Sequence, residues 1–285
     1  MGLNINWYPG HMKKTHEAIK NNLKLVDFVI EIIDARIPRA SSNPMLAKNL
    51  DEKPKLILLN KEDLADPIET DKWINYFTKK DSLALAFNSA SNKNINKIIR
   101  ASEKLMQERL DKNREKGINS QVLNAMIVGI PNVGKSTLIN NISGKRSAKV
   151  GNRPGVTKSN QWIRLHDKIK LLDTPGVLWP KFETEELALN LAFTGAIKDE
   201  IMDKESLALE LIKKLNELDE NILCNRYMIS KGLSPLQAME DIGRKRGALL
   251  RAGQIDYTKV ASIVLDEFRK GTLGRISLEK CDGEF

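Results

Sequence analysis

The stretch Gly129-Ile-Pro-Asn-Val-Gly-Lys-Ser-Thr137 constrains this chain more than any other. It reads G-x-x-x-x-G-K-[ST], follows the apolar run from Val122 to Val128, and precedes a helix-compatible run, Leu138 to Ser143, closed by Gly144. Strand, glycine loop and helix in that order are the context in which this pattern binds phosphate. Gly129 and Gly134 let the backbone curl so that successive N–H groups converge on an anion. The helix that follows points its positive dipole end at the same place. Lys135 can reach the β- and γ-phosphates, and Ser136 can offer a hydroxyl to Mg²⁺.

A phosphate loop alone separates neither ATP from GTP nor a kinase from a switch, but three other stretches narrow the choice. Asp173-Thr-Pro-Gly176 ends the apolar run Ile169 to Leu172. An Asp at a strand end suits the Mg²⁺ shell, and Gly176 lets a backbone N–H approach a γ-phosphate. Thr157, in Arg153-Pro-Gly-Val-Thr157, is the natural second hydroxyl for the metal. Asn60-Lys-Glu-Asp63 ends the run Lys55 to Leu59. The carboxylate of Asp63 can accept from guanine N1–H and the 2-amino group, neither of which adenine has, while the stem of Lys61 can lie over the base.

These residues resemble the Ras-like, translation-factor class of GTPases with one departure. Those chains carry the phosphate loop first and the guanine motif fourth; here Asn60–Asp63 precedes Gly129. The expected fifth motif, Ser89-Ala90 after the run Leu83 to Phe87, precedes it too. The order is that of the circularly permuted GTPases (the YlqF/YawG type), and permutation is tolerable because domain termini sit at the surface, often close together. Asn6-Trp-Tyr-Pro-Gly-His-Met12, Asp34-Ala-Arg-Ile-Pro38 and Gly271-Thr-Leu-Gly-Arg275 look like the bacterial ribosome biogenesis GTPase A family. The resemblance covers nearly the whole chain. It implies GTP and GDP as ligands, with Asn60, Lys61, Asp63, Ser89, Ala90, Asn132, Val133, Gly134, Lys135, Ser136, Thr137, Thr157 and Gly176 at the nucleotide and Ser136, Thr157 and Asp173 at Mg²⁺. It also implies assistance in late assembly of the large ribosomal subunit, contact with ribosomal RNA, and departure on hydrolysis.

Charge patterning bears on the partner. The formal net charge is +9 and the pI about 9.4. Residues 121–180 hold nine Lys or Arg against two acidic residues, while residues 181–285 are net acidic. The run Lys145, Arg146, Lys149, Arg153, Lys158 exceeds what a triphosphate requires, so it is either a solvated loop or a surface for a polyanion such as RNA. Between Arg226 and Arg251 six Lys or Arg stand against Glu240 and Asp241, again a solvated helical face or an RNA-binding stripe. No apolar run reaches transmembrane length, and motifs beginning at Asn6 leave no room for a leader, so a cytoplasmic protein, expected to be a monomer, is the reading. Cys224 and Cys281 are too few for a disulfide framework or a zinc site.

Alternating apolar runs and helical periodicities imply an α/β domain with a mostly parallel sheet over residues 1–180; the resemblance implies that this is a Ras-like P-loop GTPase fold in permuted order. From Glu183 only helical periodicity remains, so residues 181–285 read as a small all-helical domain, with RNA binding implied by the resemblance. Short helices are expected over residues 13–25 and 45–50, longer ones over 67–79, 94–116 and 257–270, and a hairpin around His166-Asp167. Ser234-Pro-Leu-Gln237 reads as a capping box.

The chemistry has one conspicuous gap. Ordinary relatives orient the attacking water with a Gln after Asp-x-x-Gly and use an arginine finger worth 10³–10⁵ in rate. Here Val177 and Leu178 follow Gly176, so intrinsic hydrolysis is expected to be slow and stimulated by ribosomal subunits. A lone histidine is usually structural, but the resemblance makes His11 the catalytic candidate. Asn132 is either a loop-capping residue or, by resemblance to potassium-dependent relatives, a K⁺ ligand doing a finger's electrostatic work. Two rival readings remain: a P-loop kinase or other nucleotide hydrolase, and an RNA-binding module holding GTP as a structural ligand.

Overall fold

Val, Ile and Leu runs too short for helices and too apolar for an exposed face build the sheet that organises the first part of the chain. The computed structural model describes residues 20–42, 53–79, 82–91, 95–118, 122–143, 161–174, 184–197 and 203–281. His11, the expected helix at 45–50, the basic run 145–158, Thr157, Gly176 and the expected boundary near Lys181 lie outside them.

In chain order the nucleotide-motif part comprises β1 (Phe28–Asp34), α1 (Pro38–Ser41), β2 (Lys55–Asn60), α2 (Pro67–Phe77), β3 (Ser82–Ala86), α3 (Ile95–Leu105), α4 (Gln107–Glu115), β4 (Leu123–Gly129), α5 (Lys135–Ser143), β5 (Gln161–His166) and β6 (Ile169–Asp173). The strands form one sheet in the order β3-β2-β1-β4-β6-β5. All pairings are parallel except β5 with β6, which form the expected hairpin. Every residue of β1 is buried, as both faces of a parallel sheet must be. Asp34 lies opposite Asn60, Ile32 opposite Gly129, and Ile127 opposite Asp173. The carboxyl ends of β1, β2, β4 and β6 therefore share one edge, where open α/β sheets take their ligands.

The expected helix 94–116 is bent into α3 and α4 at Met106, whose φ of −99° and ψ of 11° depart from helical values. The hydrogen bonds from Met106 N to Ser102 O and from Leu110 N to Met106 O carry the ladder through the bend. The bend leaves both Met106 and Leu110 buried.

The remaining helices are α6 (Glu185–Phe193), α7 (Lys204–Asp219), α8 (Asn221–Tyr227), α9 (Pro235–Arg246) and α10 (Tyr257–Arg269). Side-chain caps set their starts: Thr184 for α6, Asp203 for α7, Asp256 for α10, and the reciprocal Ser234–Gln237 box for α9. Leu207, Leu211, Ile212 and Leu215 of α7, Met239 and Ile242 of α9, and Val260, Val264 and Phe268 of α10 supply the buried core.

Described residues up to Thr174 fall in one compact unit and those from Thr184 to Leu278 in a second; from Glu279 the chain belongs to the first again. The helical domain expected from sequence over residues 181–285 thus ends at Leu278. The reason for the difference is local hydrogen bonding: the Glu279 carboxylate accepts from Arg39 N at 2.7 Å and Ala40 N at 3.1 Å. Cys281 N donates to the Glu69 carboxylate at 3.1 Å, and Cys281 packs on the cluster of Ile33, Ile57, Leu59 and Trp73.

Candidate functional site

Gly129 ends β4 and Lys135 begins α5, so the loop between them is a strand-to-helix turn at the ligand edge of the sheet. Its two glycines serve different ends. Gly134 has φ of +106°, and a Cβ there would stand 2.1 Å from Asn60 Nδ2 and 2.8 Å from Ser89 Oγ. Gly129 has no such backbone; a Cβ there would meet Ile32 O at 2.8 Å and Val133 Cγ1 at 2.9 Å. Its requirement is room against β1 rather than the curl expected from sequence. Asn132 takes φ of 60°, a left-handed conformation that asparagine tolerates better than most residues.

Lys135 is buried and donates to Asp173 Oδ1 at 2.6 Å and to the Thr174 carbonyl. Burial lowers the pKa of its ammonium, and the Asp173 charge works against that shift. Thr174 Oγ1 donates to Ile127 O at 2.7 Å, tying the end of β6 to β4. Lys135, Asp173 and the first turn of α5, which carries Ser136 and Thr137, thus lie together. A hydroxyl and a carboxylate are a fitting protein share for Mg²⁺, which takes one or two carboxylates and completes its shell with phosphate and water.

Asn60 is fully buried. Its Nδ2 donates to Val133 O at 2.6 Å and Ser89 Oγ at 3.1 Å, and its Oδ1 accepts from Ser89 N at 2.8 Å. Asn141 Nδ2 of α5 donates to Ser89 O. Asn60 is therefore a staple joining the end of β2, the phosphate loop and the segment Ser89-Ala90. Its amide is engaged with protein, so its part at the site is to hold the other elements together. Lys61, with φ of 62°, sends Nζ to Asp34 Oδ2 at 2.8 Å. Asp63 is exposed.

The structure brings together Asn60, Lys61, Ser89, Asn132, Val133, Gly134, Lys135, Ser136, Thr137 and Asp173. The joining bonds are those of Asn60, Lys135 and Asn141. Asp63 lies two residues beyond Lys61, and Ala90 follows directly on Ser89. His11, Thr157 and Gly176 fall outside the described residues. Sequence alone assigns no role to Asp34, Arg36 or Asn141. Asp34-Ala-Arg-Ile-Pro38 is there only a mark of the family, and an Asn inside a helix carries no signal for a contact 52 residues away.

In the helical unit, half of the six cations counted as a stripe are internally paired. Arg226 and Arg246 both engage Glu267, at 2.7 and 2.9 Å, and Arg244 engages Asp241 at 2.7 Å. Lys231, Lys245 and Arg251 remain exposed. Leu249 and Leu250 beside Arg251 are exposed as well.

Residues 124–232 match the family model described as 50S ribosome-binding GTPase. Over 279 residues the chain is 43% identical to the ribosome biogenesis GTPase A of Priestia megaterium, covering 97% of each chain. It is 33% identical over 276 residues to that of Thermotoga maritima, covering 97% of this chain and 94% of the relative. The crystal structure of GNP-bound YlqF from T. maritima superposes with a TM-score of 0.64 at 30% identity, covering 94% of this chain and 99% of that one. A GDP-bound structure of the same name gives a TM-score of 0.64, covering 93% and 99%. With the phosphate loop, the Asn60 staple and the Lys135–Asp173 pair on one sheet edge, in permuted order, the chain is a GTPase and belongs to the ribosome biogenesis GTPase A family.

Proposed function

We propose that this GTPase binds the large ribosomal subunit late in its maturation and leaves when GTP is hydrolysed. The observation that carries the reading is the Asn60 staple. It ties a guanine-type motif to a phosphate loop that follows it in the chain, the permuted motif order that the sequence shares with the ribosome-assembly GTPases it resembles. Lys135 neutralises β- and γ-phosphate charge, Ser136 and Asp173 hold Mg²⁺ together with Thr157, and Asp63 reads the guanine edge under the Lys61 stem. Mg²⁺ would supply charge neutralisation at the transferring phosphoryl group. Asn132 in its left-handed conformation offers a side-chain oxygen for K⁺, and His11 is the candidate for orienting water. The Asn60-Lys-Glu-Asp63 motif disfavours the ATP-specific alternatives.

The partner reading rests on the family and on charge. The basic run 145–158 adjoins the nucleotide motifs in sequence, and the second unit, about residues 181–278, offers Lys231, Lys245 and Arg251 with exposed leucines beside them to ribosomal RNA. A γ-phosphate-dependent change at Asp173–Gly176 passes within a few residues into that unit, as switch segments do elsewhere. Among the described residues no helix is long and apolar enough to cross a membrane, and we place the protein in the cytoplasm as a monomer. The test is GTP turnover with isolated subunits. Large subunits should stimulate hydrolysis and small subunits should not; equal rates with either, or with none, would remove the proposed coupling.

A further inference from the structure

The turn after β1 is more heavily built than a strand exit requires. The Asp34 carboxylate is buried and accepts from Arg36 N at 3.1 Å, Arg36 Nε at 3.0 Å and Arg36 Nη2 at 2.8 Å. Its fourth donor comes from another strand end, Lys61 Nζ at 2.8 Å. Burial would push the carboxyl up, but the Arg36 and Lys61 charges outweigh it and hold it well below the usual carboxylate range. The turn itself is locked. Ser41 Oγ accepts from Asp34 N at 2.9 Å and donates to Ile37 O at 2.6 Å, and Glu279 caps Arg39 and Ala40. Arg36 alone already neutralises Asp34, so the ion pair with Lys61 is not needed to bury the acid.

Lys61 is the residue whose position matters to a ligand. Its φ of 62° is one that side-chain-bearing residues seldom adopt. Its side chain is 23% exposed while the acid it meets is 1% exposed. A strained backbone at one end and a fixed ammonium at the other give the four-carbon stem one course. A lysine loses much rotamer freedom when it is fixed. Fixing it during folding removes that loss from the binding step.

We propose that Asp34, itself held by Arg36, is a positioning residue for guanine recognition, setting the Lys61 stem over the base before nucleotide arrives. The inference rests on the guanine role given to Lys61 and Asp63 above. It assigns a task to Asp34-Ala-Arg36, which the phosphate chemistry leaves unused. Because the contact concerns the base and not the γ-phosphate, GDP and GTP should be affected alike.

The experiment is a double-mutant cycle read by equilibrium affinity for GDP and GTP, with thermal melting to confirm folding. Asp34→Asn alone leaves Arg36 buried without its anion and can fail to fold. Asp34→Asn with Arg36→Met removes both charges, an exchange that buried ion pairs often tolerate. The paired substitution should weaken both nucleotides by about tenfold, on the order of the freedom a fixed lysine forgoes. In a Lys61→Met background it should change affinity by less than about twofold, since the group it positions is gone. A full loss that persists in that background would make Asp34 a structural residue and overturn the proposal alone. Unchanged guanine affinity in Lys61→Met itself would overturn the guanine-site reading and the proposal with it.

Discussion

Replacing Asn60 by alanine and Asp63 by asparagine should separate a residue that holds the site from one that reads the ligand. The Asn60 side chain makes three buried hydrogen bonds, to Val133 O at 2.6 Å, Ser89 Oγ at 3.1 Å and from Ser89 N at 2.8 Å. Alanine leaves the Val133 carbonyl and the Ser89 N–H without those partners. An orphaned buried group costs about 1–3 kcal/mol, and the three bonds share one side chain, so the losses overlap and about 3 kcal/mol in all is expected. That loss should appear in urea unfolding of the nucleotide-free protein. GDP affinity measured by calorimetry should fall as well, by no more than about a hundredfold, because binding must then restore the loop that the staple no longer holds. Asp63 is exposed, so Asp63→Asn should alter unfolding by no more than about 0.5 kcal/mol while sharply reducing guanine affinity. Unfolding of Asn60→Ala within 1 kcal/mol of the parent would refute the staple. Equal destabilisation by Asp63→Asn would refute the division of roles.

Three further outcomes follow from the same cluster. Ser136→Ala should weaken nucleotide binding in Mg²⁺ and leave binding in EDTA close to the parent, since the hydroxyl serves the metal; equal losses in both buffers would exclude that role. Hydrolysis should run faster in K⁺ than in Na⁺ and lose the difference in Asn132→Ala, which rates indifferent to the cation would contradict. Burial lowers the Lys135 pKa, so its charge is complete at low pH and lost on the alkaline side sooner than an ordinary lysine's near 10.4. Nucleotide affinity should therefore begin to fall below that pH, and Lys135→Arg, which stays charged, should abolish the early fall; a parent profile flat to the ordinary lysine range would count against it.

The sheet and most of the site were legible because their signals are local. Each phosphate or guanine motif ends a short apolar run, and the runs alternate with helical spacing, so a parallel sheet with its motif-bearing ends together follows from pattern alone. Contacts between distant segments left no comparable trace. Nothing near Asp34 announces that Lys61, 27 residues on, supplies its fourth donor. The Glu279 cap lies 240 residues from Arg39, so composition placed the C-terminal residues with the helices they follow. The basic stripe from Arg226 to Arg251 was overcounted for the same reason: Glu267, which takes two of its arginines, lies outside the window in which the charges were summed. Gly129 was recognised as necessary, but only the spacing of β1 against β4 reveals that it is kept small by Ile32.

Co-sedimentation with isolated ribosomal subunits tests the central claim most directly. The protein should pellet with large subunits in a non-hydrolysable GTP analogue and remain in the supernatant in GDP. Equal retention with both nucleotides, or retention on small subunits instead, would contradict a GTP-dependent cycle on the large subunit.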